Sequence, residues 1–92
     1  MTLEHVTGRQ KGAILLYALS TCQWCRKTKE LLLGLGVDFS YVYVDLLAGG
    51  ERDQIMGELA KWNHSRSFPT LVINNNTVII GFQEDRIREA LL

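Results

Sequence analysis

Cysteine is nearly absent from this sequence: Cys22 and Cys25 are the only two in 92 residues. That excludes the disulfide-dense secreted scaffolds, which replace a core with several cross-links. Net charge is absent too. Ten Lys plus Arg stand against ten Asp plus Glu, so no overall field draws the chain to nucleic acid or to an anionic membrane. Long apolar runs are also missing. Residues 13–19 form the longest one near the start, far short of the ~20 residues that span a bilayer. The first twelve residues lack the charged-then-apolar layout of a secretory signal. The expected setting is a reducing cytoplasm, and the expected state is a monomer.

The remainder reads as one ordinary globular domain, with 47% hydrophobic and 22% charged residues. Residues 1–12 show no convincing period and are expected to be a loosely held extension before a single domain over 13–92. Residues 13–19 are short and nearly all apolar, which predicts a fully buried strand. From Gln23 to Leu35 the period becomes helical, with Trp24, Thr28, Leu31 or Leu32, and Leu35 in step and Gly36 as the stop. Residues 38–44 are aromatic and β-branched and read as a strand. Gly49-Gly50 opens a second helix, striped by Ile55, Leu59 and Trp62, with Asn63 as its cap. Thr70-Leu71-Val72-Ile73 and Thr77-Val78-Ile79-Ile80 flank three asparagines and read as a hairpin. Residues 84–91 form a last helix, acids first, with Ile87 and Leu91 inward. The order βαβ–α–ββα predicts a mixed four-stranded α/β sheet covered by three helices.

The cysteine pair sits where the first of these strands meets the first helix. A structural staple is a poor reading, because closing a four-residue loop restricts the unfolded chain very little. Zinc needs four ligands, and only His5 and His64 remain, in no finger-like spacing. Each is expected to be a surface residue. A redox couple fits the placement. Cysteines three apart at a helix start can reach bonding range. Cys22 lies where unpaired N–H groups and the positive dipole end favour a thiolate. Arg26, Lys27 and Lys29 add positive potential there, so Arg26 and Lys27 are expected to tune Cys22. Cys22 would attack and Cys25 would resolve.

Three motifs together resemble the glutaredoxin family: Cys22-Gln23-Trp24-Cys25 after a buried strand, Phe68-Pro69-Thr70 before a hairpin, and Gly81-Phe82-Gln83-Glu84-Asp85 before the final helix. The resemblance implies the thioredoxin-like fold over residues 13–92 and a thiol–disulfide oxidoreductase acting on protein or low-molecular-weight disulfides. It implies a cis Pro69 facing the cysteines, with the Phe68 backbone pairing with an extended thiol substrate. Trp24, Arg66, Phe68, Pro69, Gly81, Phe82, Gln83, Glu84 and Asp85 become candidate substrate contacts. Glutathione or another low-molecular-weight thiol would be co-substrate, with no cofactor tightly bound. Departures bear on the partner. Glutathione-using members typically carry a lysine where this chain has Leu19, a loss that Arg66 could offset. They often carry Gly-Gly where it has Gly81-Phe82. The last motif also resembles redoxins reduced by thioredoxin reductase. Gln23 replaces the common proline, and non-proline variants are associated with a [2Fe–2S] cluster bridging two subunits. The alternative function is therefore an iron–sulfur carrier. Tyr17, on the strand, is expected in the core.

Overall fold

Residues 14–18 are apolar at every position, and a strand with period two then has two faces to bury. The computed structural model, which describes residues 3–92, resolves that demand by putting helices on both sides of one sheet. Its elements are β1 (Glu4–Val6), β2 (Ile14–Ala18), α1 (Gln23–Leu35), β3 (Phe39–Tyr43), α2 (Gly49–Trp62), β4 (Thr70–Ile73), β5 (Thr77–Ile80) and α3 (Glu84–Leu91). The strand order is β1-β3-β2-β4-β5. β2 runs parallel to β3 and antiparallel to β4, and β4–β5 is the expected hairpin.

Alternation along β2 divides the core. Ile14, Leu16 and Ala18 join Leu71, Ile73 and Ile79 on the face covered by Leu32 and Cys25 of α1 and by Ile87 and Leu91 of α3. Tyr17 and Val72 face the other way, toward Ile55 and Leu59 of α2. Tyr17 is thus in the core, as expected. Each fully buried Leu or Ile contributes about 1.5–3 kcal/mol, so the two layers fix the end of β2 from which the cysteine turn departs.

Two expectations are corrected. The sheet has five strands rather than four, because residues 4–6 pair antiparallel with residues 39–41. The segment expected to be loosely held over 1–12 is therefore held over most of its length. His5 reaches Asp38 at 3.0 Å, the Arg9 N–H donates to Gly36 at 2.8 Å, and the Arg9 carbonyl accepts from Asp38 at 2.8 Å. Residues 1 and 2 lie outside the described residues. A three-residue edge strand has too few positions to show a period, and its partner is distant in sequence. The second correction is smaller: β3 stops at Tyr43, and Val44–Leu46 form a short 3-10 turn.

Candidate active site

The chain leaves β2 through Leu19, Ser20 and Thr21, and Cys22 starts α1. Cys22 has extended backbone angles (φ −89°, ψ 119°), and its sulfur caps the helix by accepting the Cys25 N–H at 3.2 Å. No acid occupies the first turn of α1, so the positive end of the helix points at the Cys22 sulfur without local competition. Cys25 lies one turn on and faces the core, 1% exposed. Burial pushes its thiol up to about 12, with a smaller upward push from the adjoining Cys22. The Leu19 N–H approaches its sulfur at 3.5 Å and works the other way. One thiol is thus accessible and the other is held protonated beneath it.

The basic residues separate by position. Arg26 borders a small cleft that contains Cys22. The Lys27 ammonium instead lies over the Trp24 ring, 5.4 Å from its centre. Lys29 sits over Tyr41 at 4.0 Å and donates to the Tyr43 hydroxyl at 3.3 Å. On the other side of the turn, Asp45 accepts from both the backbone and the hydroxyl of Ser20. The Ser20 hydroxyl, seconded by the Ser20 N–H, holds the Asp45 carboxyl below its ordinary value. The sequence reading passed over that contact, which spans 25 positions.

Pro69 enters β4 through a cis Phe68–Pro69 bond, as the resemblance implied. Because Tyr17 pairs with Thr70 in the β2–β4 register, Pro69 falls beside the last residue of β2, next to the cysteine turn. Its loop is fastened by one buried side chain. Asn63 donates to the Ser67 carbonyl, the Ser67 hydroxyl and Thr70 Oγ1 at 3.0–3.3 Å, and accepts from Ser65. It ends α2 with φ −145°, so its role goes beyond the cap read from sequence. A polar cluster of Asn63, Ser65, Ser67 and Thr70 around the single proline was the available signal.

The family model described as Glutaredoxin matches residues 14–78. The chain belongs to the glutaredoxin family. Among solved structures it is similar to methanoredoxin from Methanosarcina acetivorans, with 51% identity and a TM-score of 0.89 over 91% of this chain and 88% of that one. It is also similar to the glutaredoxin from Methanosarcina mazei Go1, with 50% identity and a TM-score of 0.90 over 99% of this chain and 88% of that one. Glutaredoxin-C2 of Arabidopsis thaliana is 32% identical over 66 residues, which is 72% of this chain and 58% of the relative's length.

The third motif of this glutaredoxin closes over the first. Gly81 has φ +82°, a left-handed conformation that suits glycine, and its N–H donates to the Pro69 carbonyl at 2.8 Å. The turn delivers Phe82 onto Trp24, with ring centres 6.0 Å apart and planes 21° from parallel. Trp24 is 54% exposed, so its place in the helical stripe does not make it core. The other members of the motif are engaged elsewhere. The Gln83 amide donates to the Ile80 carbonyl at 2.7 Å, and Glu84 pairs with Arg88 at 2.8 Å. Asp85 is exposed in the first turn of α3. Arg66 is exposed, with φ 52° in the turn after α2. The structure therefore unites Cys22, Cys25, Phe68, Pro69, Gly81, Phe82 and Trp24, while Gln83 and Glu84 point their polar groups into local contacts.

Size alone would have misplaced the site. A cavity of about 680 Å³ lies between the sheet and the end of α2, lined by Tyr17, Trp62 and Glu58, and it holds neither cysteine. As to metal, no group of three or more His, Cys, Asp or Glu among the described residues could hold an ion. A [2Fe–2S] cluster needs four thiolate-type ligands. With Cys25 buried, one chain offers a single accessible thiol, Cys22, so a bridging cluster would need a second chain and external thiols to complete its ligands.

Proposed function

We propose that this chain is a thiol–disulfide oxidoreductase working through a dithiol cycle. The Cys22 thiolate attacks one sulfur of a substrate disulfide, forming a mixed disulfide and releasing the other half as a thiolate. Cys25 then gives up its proton and attacks the Cys22 sulfur. The second substrate thiolate leaves, and a Cys22–Cys25 disulfide closes, so two electrons pass from the cysteine pair to the substrate. The observation that carries this reading is the contrast within the pair. An accessible sulfur caps the helix, and a buried thiol sits one turn behind it.

Phe68 and Pro69 are proposed to present backbone to an extended substrate, since Pro69 has no N–H and its ring fixes the local path. Trp24 and Phe82 form an aromatic wall beside it. Leu19 lacks a cation for a peptide carboxylate, and Phe82 fills space against Trp24. Both features favour a reductant other than the tripeptide glutathione: another small thiol or a thioredoxin reductase. The proposed working state is a monomer in a reducing cytoplasm.

The test is reduction of a protein disulfide by the wild type and two variants. Cys22→Ser is expected to abolish turnover, and Cys25→Ser to accumulate mixed disulfides detectable by intact mass. Full turnover by Cys22→Ser sinks the proposal. Recycling of the oxidised protein by glutathione and by a thioredoxin reductase, measured side by side, then identifies the reductant.

A further inference from the structure

The face of the sheet opposite α1 and α3 is covered by α2 alone, through Ile55 and Leu59. On that face β1 adds an edge strand beside β3. Between them lies the cavity of about 680 Å³, lined on the sheet by Tyr17 and Val72, on the N-terminal segment by Leu3 and His5, and on α2 by Glu58 and Trp62. Ligand pockets are roughly 300–1,000 Å³ and mostly apolar and aromatic, with a few placed polar groups. This cavity has that size and that make-up. Neither cysteine borders it, so its chemistry is independent of the thiols.

Besides Tyr17, the ionisable walls are His5, Asp38, Lys61 and Glu58. With His5 neutral, two carboxylates stand against one ammonium. His5 and Asp38 pair at 3.0 Å, and the His5 ring, seconded by the Gly8 N–H, holds the Asp38 carboxyl below its ordinary value. Lys61 is exposed in the last turn of α2, where a cation complements the negative end of the helix. Glu58 is the exception. It is half-buried and makes no ion pair or side-chain hydrogen bond among the described residues. An acid close to that end of a helix gains nothing from the dipole. Its charge is felt instead at the Tyr17 hydroxyl. Burial raises that hydroxyl above its ordinary value and the Glu58 carboxylate raises it further, against a smaller opposing pull from the Trp62 side chain. A carboxylate without a cation thus shares the cavity with two aromatic rings.

We propose that this cavity is a binding site for an organic cation, an ammonium group carried on an apolar body, with the charge against Glu58 and the body against Tyr17, Trp62 and Val72. Two physical effects favour that class. A charge-assisted contact between an ammonium and a carboxylate is among the strong polar contacts, and Glu58 has its acceptor oxygens free for one. Trp and Tyr rings also attract a cation placed over their faces, more so where water is displaced. An anionic ligand fares worse. It would meet the half-buried Glu58 carboxylate inside the cavity, and the one ammonium available to it, on Lys61, is exposed to solvent. A neutral ligand gains the apolar contact but leaves Glu58 unanswered.

The experiment titrates the full, isotope-labelled chain with three probes that share one phenyl body: phenethylammonium (cationic), phenethyl alcohol (neutral) and phenylacetate (anionic). Trp24 and Trp62 are the chain's two tryptophans, so their indole N–H resonances, assigned by the loss of one in Trp24→Phe, separate the cysteine turn from the cavity. The Trp62 resonance should shift saturably with phenethylammonium while that of Trp24 stays in place. At low ionic strength the cation should bind about tenfold more tightly than the alcohol. Phenylacetate should bind most weakly, and added salt should narrow the differences. Glu58→Gln keeps the shape of the side chain and should bring the cation's affinity down to that of the alcohol, whose own affinity is unchanged. Glu58→Asp should keep part of the preference. Equal affinities for the three probes, a preference for phenylacetate, or a cation preference that survives Glu58→Gln overturns the site. So does a shift confined to Trp24, or the lack of a saturable shift with any probe. None of these outcomes bears on disulfide reduction, which stands or falls with the cysteine variants.

Discussion

Cys22 and Cys25 are one helical turn apart and live in different solvents. Cys22 stands at the helix start, with a loop flank on one side and a cleft bordered by Arg26 on the other. Cys25 faces the same core as Leu16, Leu32 and Ile87, and its backbone N–H is spent on the Cys22 sulfur. One spacing in sequence thus produces two chemically distinct thiols. Position along the helix does the sorting: residues three apart share a face, but Cys22 is the non-helical cap at the open end, whereas Cys25 lies inside the first turn and packs against the sheet. In the proposed cycle, attack and resolution are separated by burial rather than by residue type.

The sharpest way to break that comparison is alkylation. With its thiol near 12, Cys25 is ionised at pH 8 in only about one molecule in ten thousand, and the thiolate is the reacting species. Iodoacetamide at pH 8 should therefore add one label, on Cys22, read by intact mass and peptide mapping. Comparable rates at both sites would dissolve the distinction. The same shift has a stability consequence. Cys25 is raised from an ordinary 9.0, so between pH 9 and 12 the unfolded chain sheds this proton while the folded one keeps it. The contribution is present below pH 9 and is lost as pH rises toward 12. Urea denaturation of the reduced protein should show a steeper decline over that window than Cys25→Ala does.

A second prediction tests how far the surroundings of Cys22 depend on a single buried amide. Asn63→Ala removes the amide that donates to Thr70 Oγ1 and to the Ser67 carbonyl, leaving those two only their bond to each other, and each lost hydrogen bond costs about 0.5–1.5 kcal/mol. The urea midpoint should fall accordingly. Reduction of protein disulfides should fall with it, while alkylation of Cys22 should hold. A parallel loss of Cys22 alkylation would show that the Pro69 loop also shapes the first turn of α1. The smallest effect is expected from Phe82→Ala. The ring pair with Trp24 is worth about 0.5–1.5 kcal/mol, so a several-fold loss toward protein disulfides, with alkylation of Cys22 unchanged, is the expected kinetic result.

How much of this was legible in the sequence follows the range of each signal. α1, the β4–β5 hairpin and α3 match their expected bounds to the residue, because their determinants are local: Gly36 in a left-handed cap, three asparagines at a tight turn, acids opening a helix. The strand–helix junction that the cysteine pair occupies was legible for the same reason. β1 was not, because Glu4 and His5 are exposed and only its pairing with residues 40 and 41 makes them a strand. Lys27 illustrates a different limit. Spacing put it near Cys22, but a helical side chain goes to its nearest attractive surface, and here that is the Trp24 ring. Asn63 was legible as a terminator but not as the fastener of the Pro69 loop, whose members come together only once the backbone has turned.

The contact of Gly8 and Arg9 with the far end of α1 carries a practical lesson. A side chain at Gly8 would sit 2.6 Å from the Gly36 carbonyl oxygen, and the Arg9 guanidinium donates to the Leu35 carbonyl at 2.7 Å. The helix that carries both cysteines is therefore clamped at its tail by the chain's own beginning. In the proposed dithiol cycle, movement that accompanies making or breaking the sulfur–sulfur bond would fall to the first turn. Anyone trimming the protein to its smallest autonomous piece should cut before Leu3, not at Ala13, where homology to the bare family core would invite the knife.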